Sequence, residues 1–443
     1  MQPPTKTQMY VEGFHMNTKE EDRFRRKALK AIGCSVAIFF ACSGVSSAAE
    51  SLTLASAISA AINDNPELKS FSYNMSIQDA RIIQAGLKPK PELNVNIEDI
   101  LGTGEAQGFS GSQTTLSIAW VVEGGLAQRR VDVARTGSLS LAAEAEVMRL
   151  DTAAQVARYY MQALALQLHK QLADEGISYA TESVSTIGQR VEAGTGSAAD
   201  LARAEAELER LLLYREDMNH ELEIVFHQLA ALWGELYPEF TSVEGDITEL
   251  PNLQPFPMLI TLIEQNPDIS RFLSEQRLQD SILQLELAQR KTPWRFNAGI
   301  RRIQSSSDTG FVAGVTIPLN RGNLNQGRIQ EARTAIEKTA AEKEAAMIRI
   351  QTNLFVVYQE LEHSLHRAEV LRSAVIPKYQ EALEQVRRSY ELGAASYIEW
   401  FQIQESVLEA RSDVIEASLQ AQLKNIEIER LTGLRIAQSL STQ

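Results

Sequence analysis

Glu123-Gly124-Gly125-Leu126-Ala127-Gln128-Arg129-Arg130 returns 198 residues later as Arg321-Gly322-Asn323-Leu324-Asn325-Gln326-Gly327-Arg328, with Gly, Leu, Gln and the last Arg in register. Ala134-Arg135 matches Ala332-Arg333 at the same offset. Upstream, Asn65-Pro66-Glu67-Leu68 returns as Asn266-Pro267-Asp268-Ile269, an offset of 201. Pro91 is echoed by Pro293. Downstream, Gly194 matches Gly393 and Leu232-Trp233-Gly234 matches Leu431-Thr432-Gly433, both at offset 199. One such match is chance; a collinear series is an internal duplication. Its period is too long for a solenoid.

Each repeat, 50–234 and 258–434, reads alike, and a Pro-bearing linker of 235–257 separates them. A helix is expected over roughly Leu54–Leu87 and Met258–Arg290, then two strands, then a very long helix, a Gly turn and a second long helix. The strands alternate with a period of two: Leu93, Val95 and Ile97; Leu116, Ile118, Trp120 and Val122; Trp294, Phe296, Ala298 and Ile300; Phe311, Ala313, Val315, Ile317 and Leu319. One apolar face per strand means a sheet covered on one side only. That sheet either packs on helices or turns its apolar face to lipid. About ten residues per strand is the length a tilted membrane strand needs, and Trp120 and Trp294 sit near strand ends, as interfacial aromatics do. Gly102–Gly111 and Ser305–Gly310 read as hairpin loops.

Leu126 to about Arg190 holds no Pro, and Gly only at 137, 176 and 188. As one helix it spans about 95 Å. Asn323–Glu391 is longer, with Gly327 early and Pro377 late. Apolar positions recur at three/four spacing, as in Ile348, Ile350, Leu354, Val357 and Leu361. Helices of this length need partners all along, as in coiled coils or helical barrels.

The N-terminus reads as an export signal at 1–49. Arg23, Arg25, Arg26, Lys27 and Lys30 precede an apolar stretch, Ala31–Val45, and Ser46-Ser47-Ala48-Ala49 closes it before Glu50. Met16 is a second candidate start. Both cysteines, Cys34 and Cys42, fall inside this segment, so the exported chain has no disulfide; lipidation at Cys42 is the alternative.

The 443 residues carry a net charge of −14. Seven Lys/Arg and four Asp/Glu lie in 1–49, which leaves −17 on the remainder. The balance argues against nucleic acid, which wants basic faces. No run of apolar residues is long enough for a membrane helix.

Catalytic signals are sparse, and neither an enzyme nor a cofactor is expected. No phosphate loop or nucleophile elbow is present. The histidines past residue 49 are His169, His220, His227, His363 and His366. Glu360 to His363 has the Glu-x-x-His spacing of di-iron bundles, and only Asp217 to His220 approaches a second copy. His363 and His366 at i,i+3 have metal-ligand spacing, against solvated helix surface as the plain alternative.

The layout resembles the TolC-like outer-membrane efflux protein family, over essentially all of 50–434. The resemblance rests on the duplicated Asn-Pro, on Ile317-Pro318-Leu319 with Gly327, on Arg190–Gly194 and Tyr390–Gly393, and on Leu431-Thr432-Gly433. Leu52-Thr53-Leu54-Ala55 and the Asn320–Gly327 stretch look most like its CzcC-like subgroup, which serves heavy-metal cation pumps. The resemblance implies an α+β membrane protein, a homotrimer whose protomers each give four strands to a twelve-stranded transmembrane β-barrel in outer-membrane lipid. A long periplasmic α-helical barrel would continue it. It implies a passive conduit for heavy-metal cations, docked on a periplasmic adaptor and fed by an inner-membrane efflux pump. Four strands cannot close a barrel alone, which by itself demands several copies.

The resemblance also places a pore constriction at Glu399, Gln402 and Tyr390. Ala395 stands where a basic partner can sit. Adaptor-contacting tips would be Arg190, Gly194, Gly196 and Ser197 on one hairpin, and Leu392, Gly393 and Ser396 on the other; a plain helix cap is the alternative for the glycines. Residues 435–443 read as a tail. A soluble periplasmic coiled-coil adaptor or spacer is a second reading, and a helical-bundle metal oxidoreductase a third. Fractionation separates them. A heat-modifiable trimer in the outer membrane is expected, and a soluble periplasmic species would reject the channel.

Overall fold

The computed structural model describes residues 50–319 and 324–434. The expected export segment with Cys34 and Cys42, the residues 320–323 and the tail 435–443 lie outside the described residues.

A short strand, β1 (Glu50–Leu52), precedes α1 (Leu54–Asp64) and α2 (Pro66–Ala85). Strands β2 (Glu92–Glu98) and β3 (Gln113–Val122) lead into α3 (Leu126–Glu192) and α4 (Ala198–Ala231). β4 (Phe240–Val243) pairs back on β1. The order then repeats: α5 (Phe256–Leu262), α6 (Pro267–Ala288), β5 (Trp294–Ile303), β6 (Asp308–Thr316), α7 (Gln326–Val370), α8 (Ile376–Glu391) and α9 (Tyr397–Thr432).

The helix expected at Leu54–Leu87 is two helices, broken at the duplicated Asn-Pro. A residue before proline is pushed out of the helical region, and Asn65 sits at φ −55°, ψ 124°. Pro66 then takes the first helical position, where no N–H is needed. Asn65 Oδ1 accepts from the N–H groups of Glu67 and Leu68 at 2.8 and 2.9 Å. Its Nδ2 donates to Leu232 O, 2.8 Å away, at the end of α4. The second copy does the same. Asn266 Oδ1 accepts from Asp268 N at 2.7 Å, and Nδ2 donates to Arg430 O and Leu431 O at 2.9 and 2.7 Å. The Asn-Pro and Leu-x-Gly anchors of each repeat are therefore contact partners, and each buckles the start of its repeat to the end. Gly433, at φ +74°, lies so close that a Cβ there would come within 3.2 Å of Asn266 Cα. Arg430 strengthens this second buckle by pairing with both Asp268 and Asp151. Burial disfavours its charge, and the two carboxylates more than reverse that, leaving its pKa raised.

β2, β3, β5 and β6 form one antiparallel sheet in that order. Register puts all four apolar stripes on the same face: Leu93 opposes Ile118, Leu116 opposes Ile300, Trp120 opposes Phe296, and Ile300 opposes Phe311. Among the described residues nothing in the protomer covers this face, and Phe311 is 96 % exposed. The opposite face is polar and ion-paired. Arg295 meets Glu92 at 2.9 Å, and Arg301 meets Glu98 at 3.3 Å and Thr115 Oγ1 at 2.9 Å. The outer strands β2 and β6 each keep a free edge. β6 ends at Thr316, short of the expected Leu319, because Pro318 cannot donate to a ladder. Its hairpin is tighter than expected, and Gly310 lies within the strand opposite Arg301.

α3 runs unbroken for 67 residues. The expected single helix to Glu391 instead contains one π turn, Leu371–Val375, just before Pro377. Pro377 has no N–H, so the α-helical ladder fails there. The backbone widens, and Ile376 N donates to Leu371 O five residues back. The four long helices stand in a row. α3 packs on α9 in the middle, α4 lies along α3, and α7 with α8 lies along α9. The core is drawn out along this row. It holds a cluster around Tyr160, Phe226 and Phe240, one around Leu259, Leu354 and Leu361, and one at the far end around Ile187, Tyr390 and Trp400.

Asn266 is fully buried. Asn266→Ala should cost about 1 kcal/mol for the lost cap and about 1–3 kcal/mol for each carbonyl left unpaired. Asn65→Ala, which frees one carbonyl rather than two, should cost less. Both are read as a fall in the temperature at which the purified protein loses its folded mobility in mild detergent.

Candidate functional site

The far end of the helix row is made by two turns. At each, a glycine takes the left-handed backbone that ends a helix: φ is +75° at Gly194 and at Gly393. Thr195 N and Gly196 N donate to Arg190 O at 2.9 Å each. Ala394 N and Ala395 N donate to Ser389 O at 2.8 and 3.2 Å. The plain capping role is thus real at both tips, and Gly194, Ser197, Leu392, Gly393 and Ser396 still lie exposed on their outer surface, with Gly196 half-buried.

The structure brings Arg190 and Tyr390 together. The guanidinium carbon sits 4.3 Å from the Tyr390 ring centroid. Nη2 donates to Tyr390 O at 2.7 Å and Glu391 O at 2.9 Å. A cation is thereby placed on the carbonyl end of α8, where the helix dipole is negative. Tyr390 is buried against Trp400, with ring centroids 5.1 Å apart, and Tyr397 meets Trp400 edge-on at 6.3 Å. Arg203 stacks over Phe401 at 4.7 Å. Burial holds the Tyr397 hydroxyl at a pKa of about 12, with Arg203 opposing. A further tie, Arg387–Glu182 at 2.6 Å, joins α8 to α3. The two hairpins are one packed unit at their tips.

Glu399 is exposed and forms a capping box with Ser396. Its Oε2 accepts from Ser396 N at 2.8 Å and from Ser396 Oγ at 2.9 Å, while Glu399 N donates to Ser396 Oγ at 3.3 Å. The Ser396 N–H, then the hydroxyl, hold its carboxyl below the ordinary value of 4.5. A carboxylate with a depressed pKa supports the fold above its ordinary value and loses that support as pH falls through the lowered one. Gln402, one turn on, is exposed, and its backbone carbonyl accepts from Ser406 Oγ at 2.9 Å.

Sequence reasoning missed Trp400, Arg203 and Phe401, although Tyr397, Trp400 and Phe401 share one helical face and signal a cluster there. It also missed a groove between α3, α4 and α9 holding His169, Glu221 and Glu416. Burial lowers the His169 pKa, against the pull of those two carboxylates. The Glu-x-x-His carboxylate of Glu360 is taken by Lys424 at 2.7 Å. Among the described residues, no three metal-binding side chains converge within the chain. No described helix is long and apolar enough to cross a membrane.

Comparison with known proteins matches the family described as outer membrane efflux protein over residues 57–235 and 284–434, in both repeats. The chain is 27% identical over 393 residues to the cobalt-zinc-cadmium resistance protein CzcC of Cupriavidus metallidurans, covering 87% of this chain and 91% of that protein. It is 24% identical over 298 residues to the nickel-cobalt-cadmium resistance protein NccC of Alcaligenes xylosoxydans xylosoxydans, covering 66% of this chain and 67% of that one. Its fold superposes on the crystal structure of CusC, described for transmembrane channel formation, with a TM-score of 0.69 at 16% identity, over 86% of this chain and 91% of the other. A sheet with one uncovered apolar face, paired helical hairpins ending in a shared tip, and a family match through both repeats lead to one conclusion: this chain belongs to the outer membrane efflux protein family.

Proposed function

We propose that three copies of this chain form the outer-membrane conduit of a three-part system that exports heavy-metal cations. The observation that carries this is the sheet. Its apolar face is uncovered while its other face is polar and ion-paired, and both edge strands keep unpaired backbone groups. In lipid those groups need partners, and joining β2 of one copy to β6 of the next supplies them. Three copies then make twelve strands with no edge. The cation cargo is supported by the kinship to CzcC, a cobalt-zinc-cadmium resistance protein, and by the acidic balance of residues 50–443. An inner-membrane pump drives transport, and the conduit is passive.

A periplasmic adaptor seats on the exposed tips, at Gly194, Gly196 and Ser197 and at Leu392, Gly393 and Ser396. Arg190 serves there by holding the two tips as one surface. Three symmetry-related Glu399 carboxylates form a ring that favours cations, with Gln402 beside them and Tyr390 buttressing from behind.

Cysteines test the ring, because residues 50–443 contain none. Single cysteines at Asn94 or Asn96 in β2, combined with one at Gly310 or Val312 in β6, should yield oxidised dimers and trimers on denaturing gels. No cross-link in any combination would sink the ring. Two substitutions separate the roles of Glu399. Glu399→Gln keeps a capping side chain and removes the charge, so it should lower cation preference in planar-bilayer reversal potentials. If only Glu399→Ala alters the channel, Glu399 is a helix cap and not a pore residue.

A further inference from the structure

Four of the five histidines past residue 49 gather at one level of the helix row. His169 precedes Gly194 by 25 residues and His220 follows it by 26; His366 precedes Gly393 by 27 and His363 by 30. The two tips are level, because Arg190 bonds the carbonyls of Tyr390 and Glu391. At 1.5 Å per residue, the four histidines fall within about 8 Å of one height. Contacts agree: His169 of α3 lines one groove with Met218 and Glu221 of α4.

Their directions divide them. His169 faces that groove inside the protomer. His220 is on α4, whose buried stripe of Leu211, Met218, Leu222, Val225 and Leu229 faces the rest of the row. At 100° per residue, Glu216, His220 and Glu223 lie on the opposite side, at the free edge. The Glu216 and His220 side chains are each 68 % exposed, 3.8 Å apart. At the other end of the row, the buried stripe of α7 is Leu354, Val357, Leu361 and Ala368. His363 and His366 lie opposite it, exposed, with exposed Glu362 beside them. Apolar residues accompany both edges: Leu213 on α4, Val356 and Val370 on α7, all exposed. Such edges are finished surfaces only when something covers them.

We propose that α4 of one copy meets α7 of the next, and that His220, with Glu216 or Glu223, joins His363 and His366 across that seam to bind a divalent transition-metal ion. The inference rests on the ring of copies proposed above. The row places α4 and α7 at opposite ends, on the same sides as the free strands β2 and β6, so closing the sheet brings these two edges together. Equal height puts the side chains at one level. The donor set is three imidazoles and a carboxylate, the nitrogen–oxygen chemistry that zinc and its neighbours take in tetrahedral sites. Histidines at i,i+3 share one helix face and can bind one ion together. The site is incomplete in one copy, in accord with the lack of a metal-binding group within the described chain. His227 is outside it, since its Nδ1 is engaged by Leu236 O at 2.9 Å.

The test uses the untagged full-length protein in mild detergent at pH 7.5. Zinc chloride is titrated by equilibrium dialysis, and cobalt chloride is followed by its visible absorption. The expected result is about three tight ions per trimer and a tetrahedral cobalt spectrum. His220→Gln and the double variant His363→Gln/His366→Gln should each weaken zinc binding at least tenfold with the trimer intact. His169→Gln, at the same height but facing inward, should bind as the parent does. His220→Cys combined with His366→Cys should cross-link between copies. A trimer that binds no stoichiometric zinc, or variants that bind like the parent, overturn the metal site and leave the ring standing. A protein that stays monomeric overturns the ring and the site together.

Discussion

Asn65 and Asn266 each hold two chain segments together where both would otherwise end in unpaired backbone groups. A helix start has spare N–H groups and a helix end has spare carbonyls. One carboxamide has an acceptor for the first and donors for the second. Placed between them, it satisfies both and fixes the angle at which the repeat's entry and exit meet. The prolines that follow make the break obligatory, and the glycines at 234 and 433 leave room for it. From these two points the long helices run one way toward the tips. The strands run the other way, so the placing of each end depends on the buckles.

The chemistry of the molecule changes along that axis. At one end the chain presents an apolar face backed by a polar, ion-paired one, suited to a boundary between lipid and water. In the middle, ion pairs such as Arg411–Glu175 and Arg158–Glu427 link α9 to α3. At the far end, aromatic packing around Trp400 and the Arg190 bridge hold two hairpins together. In the proposed conduit, function would follow the same gradient: insertion at the sheet, passage along the helices, docking at the tips. The histidine level lies between.

Much of the architecture was legible because it is periodic or punctuated. A period of two exposes a half-covered sheet wherever it lies in the chain, and a long stretch without proline or glycine reads as helix. The site was less legible. The family resemblance puts Glu399 at a constriction, and the structure shows that its carboxylate closes a capping box, a role visible in the Ser396-x-x-Glu399 spacing. The resemblance puts Arg190 among the adaptor-contacting tip residues; that its guanidinium reaches across to the carbonyls of the other hairpin is something only the structure shows. Trp400 carries the tip cluster and drew no notice, since one aromatic on a long helix has many possible partners.

The amino-acid order by itself determined the duplication, the alternating strands, the presence of two long helical hairpins and the turns between their helices. Each of these depends on neighbours a few residues apart or on the chain being compared with itself. Only the tertiary structure decided that Asn-Pro meets Leu-x-Gly, that all four apolar stripes share one face, and that α4 and α7 stand at the free ends of the row. Most of those are choices among partners more than a hundred residues apart, as in the pairing of β3 with β5. They are made by which carbonyl lies within reach of which amide and which stripe is left uncovered, and a linear pattern carries no distance across the fold.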